Sequence, residues 1–317
     1  MSSPAQTSLH QVEERPARDK LAGLHRLLGS MGSALVAFSG GADSAFLAFM
    51  AHQALGGQAL AVTADSASLA RSELRDAVTF AARFGLRHRV APTSELDDEA
   101  YLRNSADRCY FCKSALMRAL EAISSQAAGG TEILVGVNTD DLGDYRPGQQ
   151  AVRERGGRWP LVEVGLSKAE IRWLSRELGL PTWDKPAAAC LSSRIAYGVP
   201  VTPAALRRVE TSEAALKELG LAGRVRVRDQ GSDLARIEVE PDCLGLAVER
   251  RRDVVAVLKN AGFAFVTLDL EGYQQGSHNL TLQRRPLPQP RTHAANDGHD
   301  AGRIVIPDRE GGQLHEG

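Results

Sequence analysis

The stretch Ala34-Leu-Val-Ala-Phe-Ser-Gly-Gly-Ala-Asp-Ser44 decides the fold. Its first five residues, Ala34–Phe38, are a continuous apolar run of buried-strand type, and they lead without a break through Ser39-Gly40-Gly41-Ala42-Asp43-Ser44 into a helical pattern over Ala45–Ala54. Gly40 and Gly41 carry no Cβ, so main-chain amides can approach a ligand closely. The start of the following helix adds unpaired N–H groups and a positive dipole end. Such a loop is suited to phosphate. The hydroxyls of Ser39 and Ser44 add donors, and Asp43 is placed to orient the loop or to help hold Mg2+. No Gly-Lys-Ser/Thr follows, so this is not a Walker A loop, nor is it the dinucleotide fingerprint. The plain alternative is an ordinary strand-to-helix turn with two glycines.

Outward from this loop, strand-type runs alternate with amphipathic helical patterns. Ala59–Ala64 precedes a helix over Ser72–Phe84, and Ile133–Val137 precedes a helix over Lys168–Leu178. That alternation predicts an α/β fold, a doubly wound, mostly parallel sheet with helices on both faces. From about Thr202 the pattern changes. A helix over Pro203–Leu219, two strands (Arg224–Arg228 and Ala235–Glu240) joined through Gln230-Gly231-Ser232, a helix over Leu244–Ala261 and a last strand, Phe263–Leu268, predict a smaller α+β domain. Gly198 and Pro200 interrupt both periodicities near Tyr197–Val201 and place the boundary there. The expected organisation is a mobile tail over 1–20, the sheet domain over 21–198, the α+β domain over 199–283 and a polar, Pro- and Gly-rich tail over 284–317.

The composition is that of a globular protein: of 317 residues, 43% are hydrophobic and 24% charged. Lys plus Arg (38) nearly balance Asp plus Glu (39), so no basic field exists to collect nucleic acid, and a nucleic-acid partner is not expected. The first twenty residues lack the apolar core of a signal peptide, and no run reaches the roughly 18 apolar residues of a membrane span. A cytoplasmic location with no membrane partner is expected. Four cysteines are too few for a secreted disulfide framework, and a Cys-x-x-Cys pair in a reducing compartment points to metal or redox chemistry.

That pair is Cys109 and Cys112 in Arg108-Cys-Tyr-Phe-Cys-Lys113; Cys190 lies far downstream in Lys185-Pro-Ala-Ala-Ala-Cys-Leu-Ser-Ser-Arg194. Flanking Arg108, Lys113 and Arg194 would lower thiol pKa values and stabilise a negatively charged centre. Four uses stay open: a structural zinc, a redox disulfide between Cys109 and Cys112, an iron–sulfur cluster on three cysteines, or Cys190 acting alone as a nucleophile. Cys243, flanked by Leu244 and Leu246, reads as a core residue. Asn138-Thr-Asp140-Asp141-Leu-Gly-Asp-Tyr-Arg146 follows the third apolar run, at the carboxyl edge where ligands of open α/β sheets bind, and is suited to Mg2+ and phosphate. A solvated acidic turn is its plain alternative. Arg224, Arg226 and Arg228 alternate and would share one strand face, opposite Arg236 and Glu238; such a row is either a solvated face or a phosphate site.

The loop Ser39-Gly-Gly-Ala-Asp-Ser44 resembles the PP-loop of ATP pyrophosphatases, the superfamily of GMP synthetase, NAD synthetase and the tRNA thiolases. The resemblance implies that the loop holds the leaving pyrophosphate, and that the backbone of Thr63 and Ala64 meets the adenine. The further strings DRCYFCK, GVNTDDLGDYRPG, PLVEVGLSKAEIR, WDKPAAACLSSR, ARIEV and GFAFVTLDLEGY are similar to the LarE-type sulfur transferases over roughly Leu21 to Gly276. These act in synthesis of the nickel-pincer nucleotide cofactor.

The family implies adenylylation of a carboxylate of pyridinium-3,5-biscarboxylic acid mononucleotide and its conversion to a thiocarboxylate. By the same resemblance Cys190 is the sulfur-bearing residue, Cys109, Cys112 and Cys190 hold a [4Fe-4S] cluster, and Arg146, Arg194, Arg226 and Arg228 serve the nucleotide ligands. A sulfide donor and a homo-oligomer are implied as well. Where the family carries a histidine between Arg226 and Arg236, this chain has none. The rival expectations are a PP-loop tRNA thiolase, a sacrificial cysteine that gives up its own sulfur, and an ATP-binding scaffold without turnover.

Overall fold

A computed structural model describes residues 12–126, 130–143, 147–187 and 189–274. In chain order the first unit comprises α1 (Glu14–Gly29), β1 (Ala34–Ala37), α2 (Ala42–Leu55), β2 (Ala59–Asp65), α3 (Arg71–Arg83), β3 (His88–Pro92), α4 (Arg108–Ser124), β4 (Glu132–Val135) and α5 (Lys168–Glu177), with shorter helices between. The four strands are all parallel, in the order β3-β2-β1-β4. β1 is central and apolar because it is covered on both sides. Ala34, Val36 and Phe38 pack with Leu24 and Leu28 of α1, Phe46 and Leu47 of α2, Phe80 of α3 and Ile171 of α5, whereas Leu35 and Ala37 pack with Met117 and Leu120 of α4 and with Trp159. The expected doubly wound α/β architecture is thus what the chain forms.

The second unit runs α6 (Pro203–Glu218), β5 (Arg226–Asp229), β6 (Leu234–Glu238), α7 (Leu244–Glu249), α8 (Arg251–Asn260) and β7 (Phe265–Leu268). Thr202 caps α6 by accepting from Ala205 N, and Pro203 occupies its first turn. β5 and β6 are antiparallel and β7 joins parallel to β6, over a core of Leu216, Val225, Val227, Ile237, Leu258 and Phe263. A third apolar cluster, with Tyr101, Leu191, Ile195, Val201, Leu206 and Val209, passes through the expected boundary and is shared by both units.

Several expectations are corrected. Residues 14–20 are not tail but the first turns of α1, with Ala17 fully buried. The helix after the phosphate loop begins at Ala42, so Asp43 and Ser44 lie in its first turn. The helix expected over 244–261 is two helices that meet at Arg250. Arg224 lies before β5 and ion-pairs with Glu240 (3.1 Å), so the arginines on the strand are Arg226 and Arg228, opposite Glu238 and Arg236. Cys243 is only half-buried at the edge of the second core. The expected tail over 284–317 and Arg146 lie outside the described residues. Among the described residues no helix is long and apolar enough to cross a membrane.

Candidate active site

Because the sheet is parallel, the segments that follow β1, β2 and β4 all emerge at one edge. After β1, Gly41 caps α2 without a side-chain hydrogen bond, so the first-turn amides are left for a ligand. Two glycines shape the space. Gly40 has φ +74°, and a Cβ there would stand 3.2 Å from that of Ala77; a Cβ on Gly136, just past β4, would stand 3.0 Å from Ser44 N. Inside the loop Ser39 and Ser44 join hydroxyls at 3.0 Å, and Ser44 Oγ donates to Gly41 O (3.1 Å).

Asp43 and the segment after β4 meet through a residue outside the expected site. Lys168 Nζ donates to Asp43 Oδ2 (2.6 Å), and Lys168 N–H donates to Asp140 Oδ2 (2.9 Å). Asp140 N–H donates to Asn138 Oδ1 (2.9 Å), and Asn138 N–H to Asp141 Oδ2 (3.3 Å), which folds the acidic turn back on itself. The other Asp43 oxygen, Oδ1, is buried and has no hydrogen-bond partner among the described residues. At the end of β2 the Thr63 side chain is committed to structure: it donates to Phe38 O (2.7 Å) and lies 2.8 Å from His88 Nε2. Burial lowers the pKa of His88. Thr63 therefore has main chain, not side chain, to offer a ligand, and Ala64 is half-buried beside it.

Cys109 and Cys112 sit one turn apart near the start of α4, Cys109 exposed and Cys112 half-buried. Burial pushes the Cys112 thiol up to about 12; Lys113 opposes this, while Cys190, Glu95 and Cys109 add to it. The expected lowering by flanking cations is therefore reversed at Cys112, because desolvation outweighs one nearby ammonium. Cys190 is exposed in the loop that leads into the 3-10 turn Leu191–Arg194. Cys109 and Cys190 both lie close enough to Cys112 to act on it electrostatically. Among the described residues, no three His, Cys, Asp or Glu side chains are gathered as ligands of one metal ion.

The Cys190 loop is held from three sides by buried arginines. Arg108 donates to Ser192 O (2.8 Å) and to Asn104 Oδ1. Burial opposes its charge, but Cys190, Cys109 and two tyrosine hydroxyls outweigh that and raise its pKa. Arg194 reaches back to Cys190 O (3.0 Å) while pairing with both oxygens of Glu213 (2.9 and 3.1 Å). Arg228 donates to Ser193 O (3.0 Å) and pairs with the fully buried Glu238 (2.6 Å). Beneath the turn, Ser192 Oγ joins Ser68 and the Tyr101 hydroxyl, each at 2.6 Å. Arg226 differs from its neighbours. Among the described residues it has no carboxylate in ion-pair range, it lies 5.5 Å over the Tyr273 ring, and burial together with the positive charge of Arg194 lowers its pKa. Leu191 N–H donates to Ser68 O (2.8 Å), and Lys185 pairs with Glu73 and Asp76, so the loop lies on the connection between β2 and α3.

Lys168, Glu213, Asn104 and Tyr101 were not legible as site residues, and Glu238 was read only as facing the arginine row. Lys168, Glu213 and Tyr101 are distant in sequence from the groups they serve, and only the length of the string around Lys168 and around Cys190 hinted at constraint.

A parallel sheet with a glycine loop at the carboxyl end of its central strand, opening a helix, is the architecture of an ATP-using PP-loop enzyme. The NAD synthase family model matches residues 26–115. An uncharacterised protein of Synechocystis sp. is 46% identical over 267 residues, covering 84% of this chain and 98% of that protein. The pyridinium-3,5-bisthiocarboxylic acid mononucleotide synthase of Lactiplantibacillus plantarum is 35% identical over 253 residues, 80% of this chain and 91% of that enzyme. An uncharacterised protein of Methanocaldococcus jannaschii is 26% identical over 240 residues. The chain belongs to the LarE-type family of ATP-dependent sulfur transferases.

Proposed function

We propose that this chain adenylylates a carboxylate of pyridinium-3,5-biscarboxylic acid mononucleotide and converts it to the thiocarboxylate, within synthesis of the nickel-pincer cofactor. One observation carries this reading: the Cys190 loop is laid on the β2–α3 connection, at the same sheet edge as the phosphate loop. The substrate carboxylate oxygen attacks the α-phosphorus of ATP and pyrophosphate leaves. Sulfur then attacks the acyl carbon, and AMP departs with the bonding electron pair and the former carboxylate oxygen.

Ser39, Gly40, Gly41 and Ser44 hold the phosphates, the main chain of Thr63 and Ala64 meets the adenine, and Asp43, Asp140 and Asp141 would hold Mg2+; the buried Oδ1 of Asp43, without a hydrogen-bond partner among the described residues, supports a cation there. Mg2+ supplies neutralisation of phosphate charge. Arg226 receives the substrate phosphate, and Arg194 and Arg228 serve it from behind by fixing the Cys190 turn. Arg146 is proposed for the nucleotide by family likeness.

A [4Fe-4S] cluster would be held by Cys109, Cys112 and Cys190. The donors suit it in kind, being thiols of which Cys109 and Cys190 both act on Cys112 and on the buried Arg108, and the cluster would supply exchangeable sulfide from an external donor. The exposure of Cys190 supports, as a second reading, Cys190 giving up its own sulfur once. We divide the chain into the PP-loop domain, which takes in α1 from Glu14 and runs to 198, and a substrate and oligomerisation domain, 199–283. A homo-oligomer in the cytoplasm belongs to the same proposal; the outer edge of β7, with Phe265 65% exposed, supports association.

The test is anaerobic turnover with ATP and the dicarboxylate mononucleotide, reading AMP and thiocarboxylate by mass spectrometry. Cys190→Ala is expected to abolish thiocarboxylate while AMP still forms. Iron and sulfide bound by the wild type and lost in Cys109→Ala support the cluster, whereas dehydroalanine at position 190 after one turnover supports the sacrificial route. Absence of any substrate-dependent AMP overturns the proposal.

A further inference from the structure

The parallel ladder between β2 and β3 ends at Asp65, opposite Pro92. Beyond it the chain turns towards α3 without sheet partners, so the carbonyls of the connection must be met elsewhere. Arg71 meets two of them. Its Nη1 donates to Asp65 Oδ1 (2.6 Å), and its Nη2 donates to Ser66 O (2.6 Å) and Leu69 O (2.9 Å), which gathers the connection against the end of β2. A planar guanidinium can serve a carboxylate and carbonyls at once, whereas an ammonium is a single point of charge. Arg71 is also the first residue of α3, whose N-cap residue, Ala70, makes no side-chain hydrogen bond. The cap comes from the second unit: Glu210 of α6 accepts from Arg71 N–H (2.6 Å). One turn further along α6, Glu213 holds Arg194 of the Cys190 turn, so one face of α6 bears on both sides of the site.

We propose that Arg71 is a positioning residue for the adenosine half of the nucleotide and that Glu210 sets it from the second unit: together they fix the main chain of Thr63 and Ala64 in the orientation that meets the base. This rests on the reading of that strand end as the adenine edge. Neither side chain needs to touch the nucleotide. The phosphate loop hangs from β1 and α2 and is braced by its own serines, so it does not depend on this pair.

The experiment is calorimetric binding of AMP, Mg-pyrophosphate, Mg-ATP and Mg-GTP to the full chain, wild type against Arg71→Met, Glu210→Ala and Glu210→Gln. AMP is expected to weaken about tenfold in Arg71→Met, where the charge-assisted bonds to Asp65 and two carbonyls are lost, and about fivefold in Glu210→Ala, where the helix cap is lost, with Mg-pyrophosphate unchanged in both. Glu210→Gln keeps an acceptor for Arg71 N–H and should stay within about twofold of wild type. AMP bound as tightly by Arg71→Met as by wild type overturns the inference. So does an equal fall for AMP and Mg-pyrophosphate, which would mean that Arg71 supports the fold and not the base edge, and so does Glu210→Gln binding AMP as weakly as Glu210→Ala. If Arg71→Met does not fold, Glu210→Ala carries the same comparison. Wild type that binds Mg-ATP no better than Mg-GTP sinks the reading of Thr63 and Ala64 as the adenine edge, a result distinct from any of these.

Discussion

Cys112 lies one turn after Cys109 with Lys113 beside it, yet burial pushes its thiol up to about 12, against an ordinary 9.0, so in the metal-free chain it is protonated at neutral pH. Cys109 and Cys190 are open to solvent. Nucleophilicity belongs to the thiolate, and access to the exposed group. Alkylation of the metal-free protein with iodoacetamide at about pH 8, followed by peptide mass mapping, should therefore modify Cys109 and Cys190 well before Cys112. Equal labelling of all three would show that Cys112 is neither buried nor held protonated. If the proposed cluster forms, Cys112 would exchange its proton for the metal centre, so assembly should release acid.

At the scale of elements, what was legible in the sequence was whatever stays local. The apolar run Ala34–Phe38 with two glycines after it reads as a buried strand feeding a phosphate-type turn, and the period change near Thr202 follows from different packing on either side. β3 (His-Arg-Val-Ala-Pro) was not read, because an edge strand with His88, Arg89 and Val90 largely outside the core lacks both alternation and a continuous apolar run. The arginines were seen as a row but not as a clamp. Their carboxylate partners come from α6 and β6, and such pairings are set by tertiary packing alone. Besides the apolar contacts of Leu206 and Val209, α6 reaches the Cys190 loop through Glu213, which accepts from Arg194 twice and from Val227 N–H (3.1 Å). Glu213→Ala leaves a buried guanidinium unpaired, an expected cost of about 3–5 kcal/mol in chemical denaturation. Because Arg194 also holds Cys190 O, sulfur transfer should fall more than substrate-dependent AMP formation does. A variant as stable as wild type, or one that loses both steps equally, would show that Glu213 does not position Cys190.

Across the whole molecule the two sheets are not independent bodies joined by a linker. Asn104, buried and at φ 55°, donates from its one amide to Ile195 O, Ala196 O and Val199 O, and Ile195 bridges Asp229 at the end of β5. The shared cluster with Tyr101, Leu206 and Val209 closes over this junction, so a fluctuation that opened it would expose apolar surface of both units together and unseat Cys190. Coupling of this kind predicts a single unfolding transition, and the chain carries the means to test it. All three tryptophans, Trp159, Trp173 and Trp183, lie in the first unit, whereas Leu216 is fully buried in the core of the second. Leu216→Ala creates a cavity expected to cost about 2–5 kcal/mol. If the units unfold together, the urea midpoint read by tryptophan fluorescence should fall as far as that read by far-ultraviolet circular dichroism, even though the substitution touches no tryptophan. A fluorescence midpoint that stays at its wild-type value while the dichroism midpoint drops would mean that the second unit melts alone, and that the Cys190 loop is held by only half of its clamp at that stage.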